Sequence, residues 1–84
     1  MLKETINTLL LLKHKLDKTN KQEIDAMNTC QAGIEFYKQF LGKRGASEAR
    51  WRMDQEYITG LYRAGKQHAT VAAIDSINEI LANE

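Results

Sequence analysis

Not one of the 84 residues is proline. The residue that removes a backbone donor and clashes with the preceding turn is absent, so no position is barred from helix on that ground. Ala, Leu, Lys, Glu and Gln, all good helix formers, are frequent. No stretch alternates apolar and polar residues long enough for a strand. The only clustered turn signal is Gly42-Lys43-Arg44-Gly45. An all-α fold follows.

Length sets the next limit. A chain this short is one domain and buries only about 60–65% of the surface its unfolded form exposes. Small folds recover stability through disulfides, metals or self-association. Cys30 is the only cysteine, so no internal bridge can form, and a lone thiol suits a reducing compartment. His14 and His68 are far apart and have no nearby cysteine. Homo-oligomerisation is therefore the expected staple. The run Leu9-Leu10-Leu11-Leu12 is too short for a signal peptide or a membrane span. A soluble protein of the cytoplasm is expected.

The apolar spacing suggests a bundle of three to four antiparallel helices. Leu2, Ile6, Leu9, Leu12 and Leu16 form one stripe on a first helix at about 2–18, with Leu11 on the opposite side. Thr19 and Asn20 interrupt it, and Asn20 with Glu23 three residues later has the form of a capping box. A second helix at about 21–41 carries Met27, Cys30, Ile34, Tyr37 and Leu41 at heptad spacing. Phe36 falls off that stripe, Gly33 would admit a close neighbour, and Gly42 is a natural stop. The first two helices would pair as a hairpin.

Ser47 suits the N-cap of a third helix at about 48–64, whose apolar positions are Trp51, Tyr57, Ile58, Leu61 and Tyr62. A fourth, at about 67–82, carries Val71, Ile74, Ile77 and Leu81. At 100° per residue Leu61 and Ile74 differ by about 220°. Either the chain turns near Gly65 or one long helix buries different faces along its length; a turn is the reading adopted. The last segment is also apolar on its other side, and Gly65, Ala69 and Ala73 are four apart. A second subunit would cover that face.

Several motifs approach a chemistry and miss it. Gly60 to Gln67 nearly spells a phosphate-binding loop, but Gln67 stands where Ser or Thr must hold magnesium, and no strand precedes it. Asp75 and Glu79 share a helix face but have no supporting histidine. Cys30 lies on a core stripe, so it serves as a small hydrophobe. Ser47 and Ser76 lack a base at motif spacing. No nucleophile, base and oxyanion donors come together. The chain is expected to be no enzyme, with no cofactor and no metal.

Two binding readings remain. Residues 58–78, with Gly65 at the turn and Val71 and Ile74 at buried positions of the second helix, resemble the helix-turn-helix of resolvases and repressors. That resemblance implies DNA contacts from Gln67, His68 and Thr70. Against it, Lys66 and Leu61 depart from the pattern. The recognition helix would have no Lys or Arg but would carry Asp75 and Glu79, which repel phosphate. More broadly, residues 1–68 hold all twelve basic residues with eight acidic ones, while residues 69–84 hold three acids and no base. Lys13, His14, Lys15, Lys18 and Lys21 form one basic cluster, explained by the negative end of the first helix. Lys43, Arg44, Arg50 and Arg52 form another around Trp51.

The favoured expectation is a non-catalytic protein–protein interaction module: a small adaptor, inhibitor or assembly factor. Phe36, Arg44, Arg50, Trp51, Arg52 and Tyr62 would contact the partner, because aromatics and arginines dominate binding hot spots. Small proline-free helical proteins of this style are common in phage and mobile-element genomes, where many block a host protein. Such an origin would place the chain in the host cytoplasm.

Overall fold

The computed structural model describes residues 2–84. They form two helices, α1 (Lys3–Lys38) and α2 (Ala46–Ala82), folded back on each other as a hairpin. Its dimensions are 64 × 14 × 13 Å and its Cα radius of gyration is 18.9 Å. A compact chain of this length would have a radius of about 12 Å. The all-helical expectation holds, but the bundle of three to four helices is overturned.

Both expected interruptions fail for a common reason. Thr19 does not break α1, because its hydroxyl donates to the Lys15 carbonyl inside the helix. Asn20 and Glu23 do not cap a new helix. They sit mid-helix and turn toward α2, where Asn20 accepts from Gln67 (3.0 Å) and Glu23 accepts from Arg63 (3.3 Å). Helix α2 likewise runs unbroken through Gly65. The 220° phase change is a long helix with apolar residues on two faces, the alternative to a turn.

The register explains how the two helices pack. Positions 46, 49, 53, 56, 60, 63, 67, 70, 74, 77 and 81 are all buried or half-buried, in alternating steps of three and four. So are positions 6, 9, 13, 16, 20, 23, 27, 30, 34 and 37 of α1. Such spacing keeps one seam of each helix facing its neighbour over the full length, as in a coiled coil. The Glu23–Arg63 and Asn20–Gln67 bonds fix the alignment. In that register Leu9 falls opposite Ile77, Leu16 opposite Thr70, and Ile34 opposite Met53. The seam is apolar toward both ends and polar in the middle.

Residues 39–45 reverse the chain. Gly42 (φ 80°) and Gly45 (φ 88°) both adopt left-handed conformations, which cost other residues about 1–2 kcal/mol. Gly45, rather than Ser47, occupies the N-cap of α2, and its carbonyl accepts from the Ala49 amide at 3.0 Å. Helix α1 ends at Lys38 with Gln39 as its C-cap, slightly before the expected stop at Gly42.

The core is thin. Cys30, Ala49 and Ile77 are the buried apolar residues among those described, joined by Glu23 and Thr70. The Thr70 hydroxyl is satisfied by the Lys66 carbonyl at 2.8 Å. Two helices alone cannot surround a side chain, so much of the apolar content stays outside.

Candidate functional site: the outer face of α2

Five large side chains on α2, Trp51, Tyr57, Ile58, Leu61 and Tyr62, are each between 55 and 63% exposed. From the sequence they are the apolar positions of a third helix, with Trp51 and Tyr62 alone expected at the contact surface. The inward seam instead passes through Met53, Glu56, Gly60 and Arg63, which turns these five away from α1. At 100° per residue Trp51, Ile58 and Tyr62 lie within about 40° of one another on the outward side. Tyr57 and Leu61 extend the patch around one flank, where they meet a shallow apolar groove of about 230 Å³ between the helices. Met27 and Ile34 of α1 line its other wall.

The outward row continues along α2 through Gly65, Ala69, Ala72 and Ser76, all exposed. These residues keep the face apolar but lower its profile. The outward side of α1 is different in its middle, where Lys18, Gln22, Asp25 and Thr29 are exposed and polar. Elsewhere α1 also exposes large apolar side chains, among them Leu10, Leu11, Ile24 and Phe36.

The six residues chosen from sequence do not form one surface. Arg50, Trp51 and Arg52 lie in the first turns of α2, close in sequence to Arg44 in the connecting segment, and all four are exposed. The Arg52 guanidinium is 5.4 Å from the Trp51 ring centroid and pairs with Glu48 at 3.3 Å. Phe36 is exposed on α1, with its ring edge-to-face against Tyr37 (5.1 Å) and Phe40 (5.5 Å). It points away from α2. Tyr62 lies about 16 Å along α2 from Trp51, in the patch with Ile58 and Leu61. The residues missed by sequence reading are thus Tyr57, Ile58 and Leu61.

The residues expected for DNA contact are differently placed. Gln67 faces α1 and donates to Asn20, Thr70 is buried, and only His68 is exposed. With no turn at Gly65, the helix-turn-helix geometry is not formed.

The polar centre of the seam is a satisfied network. Arg63 reaches both Glu23 carboxylate oxygens at 3.3 Å, and Lys66 approaches one of them at 3.6 Å. Every fully buried side-chain nitrogen or oxygen among the described residues has a partner. Beside this network the Cys30 thiol faces the Glu56 carboxylate. Burial first, then that carboxylate, raise its pKa above the ordinary thiol value, with Arg63 opposing. The thiol is held in its protonated, unreactive form. Gly33 makes room here, because a Cβ at that position would lie 3.0 Å from Glu56 Cδ. Among the described residues no three His, Cys, Asp or Glu side chains gather as metal ligands. Among the described residues no helix is long and apolar enough to cross a membrane.

Comparison with protein-family models, curated proteins and solved structures finds no significant match.

Proposed function

We propose that the chain is a non-catalytic protein-interaction module whose contact surface is the outer face of α2. The observation that carries this is the row Trp51, Tyr57, Ile58, Leu61 and Tyr62, each more than half exposed on one helix. Isolated apolar residues on a surface are ordinary, but a contiguous patch of this size marks a protein contact. At roughly 200 Å² for a large side chain, the five exposed fractions amount to about 600 Å² per chain. That area, left in water, opposes solubility and contributes nothing to the hairpin. Covered by a partner, it supplies the apolar core that the two-helix fold lacks.

A photo-activated benzophenone amino acid at position 58, compared with one at position 25, tests the proposal in cells that produce the protein. Position 58 should give a protein adduct, and position 25, on the polar side of α1, should not. Equal labelling at both positions, or none at either, would sink the proposal.

A further inference from the structure

Gly65 has no reason to be glycine within the hairpin. Its φ is not positive, and a Cβ built there meets nothing within 4 Å. A mid-helix glycine is less favourable than alanine by about 1 kcal/mol. Both turn glycines have left-handed φ values, and Gly33 and Gly60 have neighbours facing their missing Cβ. Of the helical glycines only Gly65 is exposed with no neighbour within 4 Å of such a Cβ, since Cys30 stands at an ordinary contact distance of 3.7 Å from one built at Gly60. A close approach from outside the chain would explain Gly65.

The outer row also has internal order. Stepping by threes and fours, it runs 55, 58, 62, 65, 69, 72, 76, and it is centred on Gly65. Folded about that centre, Tyr62 falls opposite Ala69 and Ile58 opposite Ala72, while Trp51, one step further out, falls opposite Glu79. Gln55 falls opposite Ser76, and Gly65 opposite itself. We infer that this face is self-complementary, and that a second copy of the chain packs on it with α2 antiparallel to α2 and the two-fold axis at Gly65. The inference rests on the reading of the outer face as a contact surface and names its occupant.

A parallel arrangement would do worse. It would set Tyr62 against Tyr62 and Ile58 against Ile58, while leaving Ala69, Ala72 and Ser76 facing one another across a gap. In the antiparallel arrangement knobs from one half of the helix fill the low half of the other. The glycine at the axis allows the backbones to close, as small residues do where helices pack tightly. The exposed parts of Trp51, Ile58, Leu61, Tyr62 and Ile80 from both copies amount to at most about 1,100 Å², the size of a weak interface just below the roughly 1,200 Å² of a standard one. Like charges flank the seam, with Asp54 opposite Asp75 of the second copy and Lys66 opposite its own counterpart. Added salt should therefore strengthen the association.

Two measurements on the full chain decide the matter. In the first, Gln55→Cys and Ser76→Cys variants, each also carrying Cys30→Ala, are mixed and oxidised. The antiparallel pairing yields the mixed 55–76 disulfide; predominant 55–55 and 76–76 products overturn it. In the second, which keeps Cys30, light scattering follows Gly65→Leu. Loss of a dimeric mass with unchanged helical circular dichroism is expected, because the position is open within the hairpin. A monomeric mass for the unaltered chain, or a dimer indifferent to Gly65→Leu, overturns the inference. If the chain is monomeric and benzophenone at position 58 still captures a different protein, the self-pairing fails while the contact-surface reading stands.

Discussion

Replacing Glu23 by alanine should lower the stability of the hairpin by about 2 kcal/mol, a value that follows from the geometry of its partners. The Glu23 side chain is 7% exposed and receives two bonds from Arg63 at 3.3 Å, with Lys66 at 3.6 Å. At an effective dielectric constant near 20 the direct attraction of one such pair is about 5 kcal/mol. Most of it is offset by the cost of taking the carboxylate out of water. The cations stay partly hydrated, at 38% exposure for Arg63 and 46% for Lys66, so screening reduces the remainder. A net coupling of about 1–2 kcal/mol between Glu23 and Arg63 is left, and the alanine also removes packing around the carboxylate stem.

Urea unfolding followed at 222 nm would measure Glu23→Ala, Arg63→Ala and the double variant at one protein concentration, because self-association also shifts stability. The double variant should be more stable than the sum of the single losses predicts, by that coupling. The melting temperature of Glu23→Ala should fall by about 8–16 °C for a domain of this size. Strictly additive losses, or a neutral Glu23→Ala, would refute the claim that this pair fixes the middle of the seam. Replacing both residues by leucine should leave stability equal or higher, since a buried pair rarely outperforms good apolar packing.

Three further outcomes follow from the same structure. Asn20→Ala and Gln67→Ala should each cost about 1 kcal/mol in urea unfolding, because each removes one side of a part-buried amide bond at 3.0 Å. Gly45→Ala should cost about 1 kcal/mol by the same assay through its left-handed φ of 88°, with no change in oligomeric state. Cys30 should resist alkylation by iodoacetamide at pH 8 in the folded protein and react at the free-thiol rate in urea. Its raised pKa contributes stability that is fully present below the unfolded thiol value of about 8.5 and is lost as pH rises through the folded value. The Cys30→Ser variant should therefore lose less stability than the unaltered chain between pH 8 and pH 10, a difference that urea titrations at both pH values would detect.

Helix content was legible from the absence of proline and from the leucine spacing in residues 2–16. The number of helices was not, because apolar residues alone do not mark the seam. Asn20, Glu23, Arg63, Gln67 and Thr70 occupy interior positions and find partners there, within their own helix or across the hairpin. Taken singly, Asn20 resembles a cap and Gly65 a turn. Taken in steps of three and four, they continue an unbroken register in which Asn20 meets Gln67 and Glu23 meets Arg63. The same substitution of polar for apolar residues hid the contact face. With Glu56, Gly60 and Arg63 facing α1, the large side chains at 57, 58, 61 and 62 had to face outward. The size of Tyr57, Ile58 and Leu61 suggested a core, and their exposure emerges only once the polar seam is recognised. Phe36 was legible as an exposed aromatic because the α1 stripe at Met27, Cys30 and Ile34 is apolar and leaves it plainly out of phase.

The most direct test of the account is sedimentation equilibrium of the intact chain over roughly two decades of concentration, beside an Ile58→Lys, Tyr62→Lys double variant. Both positions are exposed in the hairpin, so the variant should keep its helix content. A mass near twice 9.6 kDa is expected for the intact chain and 9.6 kDa for the variant. A mass of 9.6 kDa for both at every concentration, with the intact chain fully helical and stable, would show that the hairpin does not use the outer face of α2 to pair with itself.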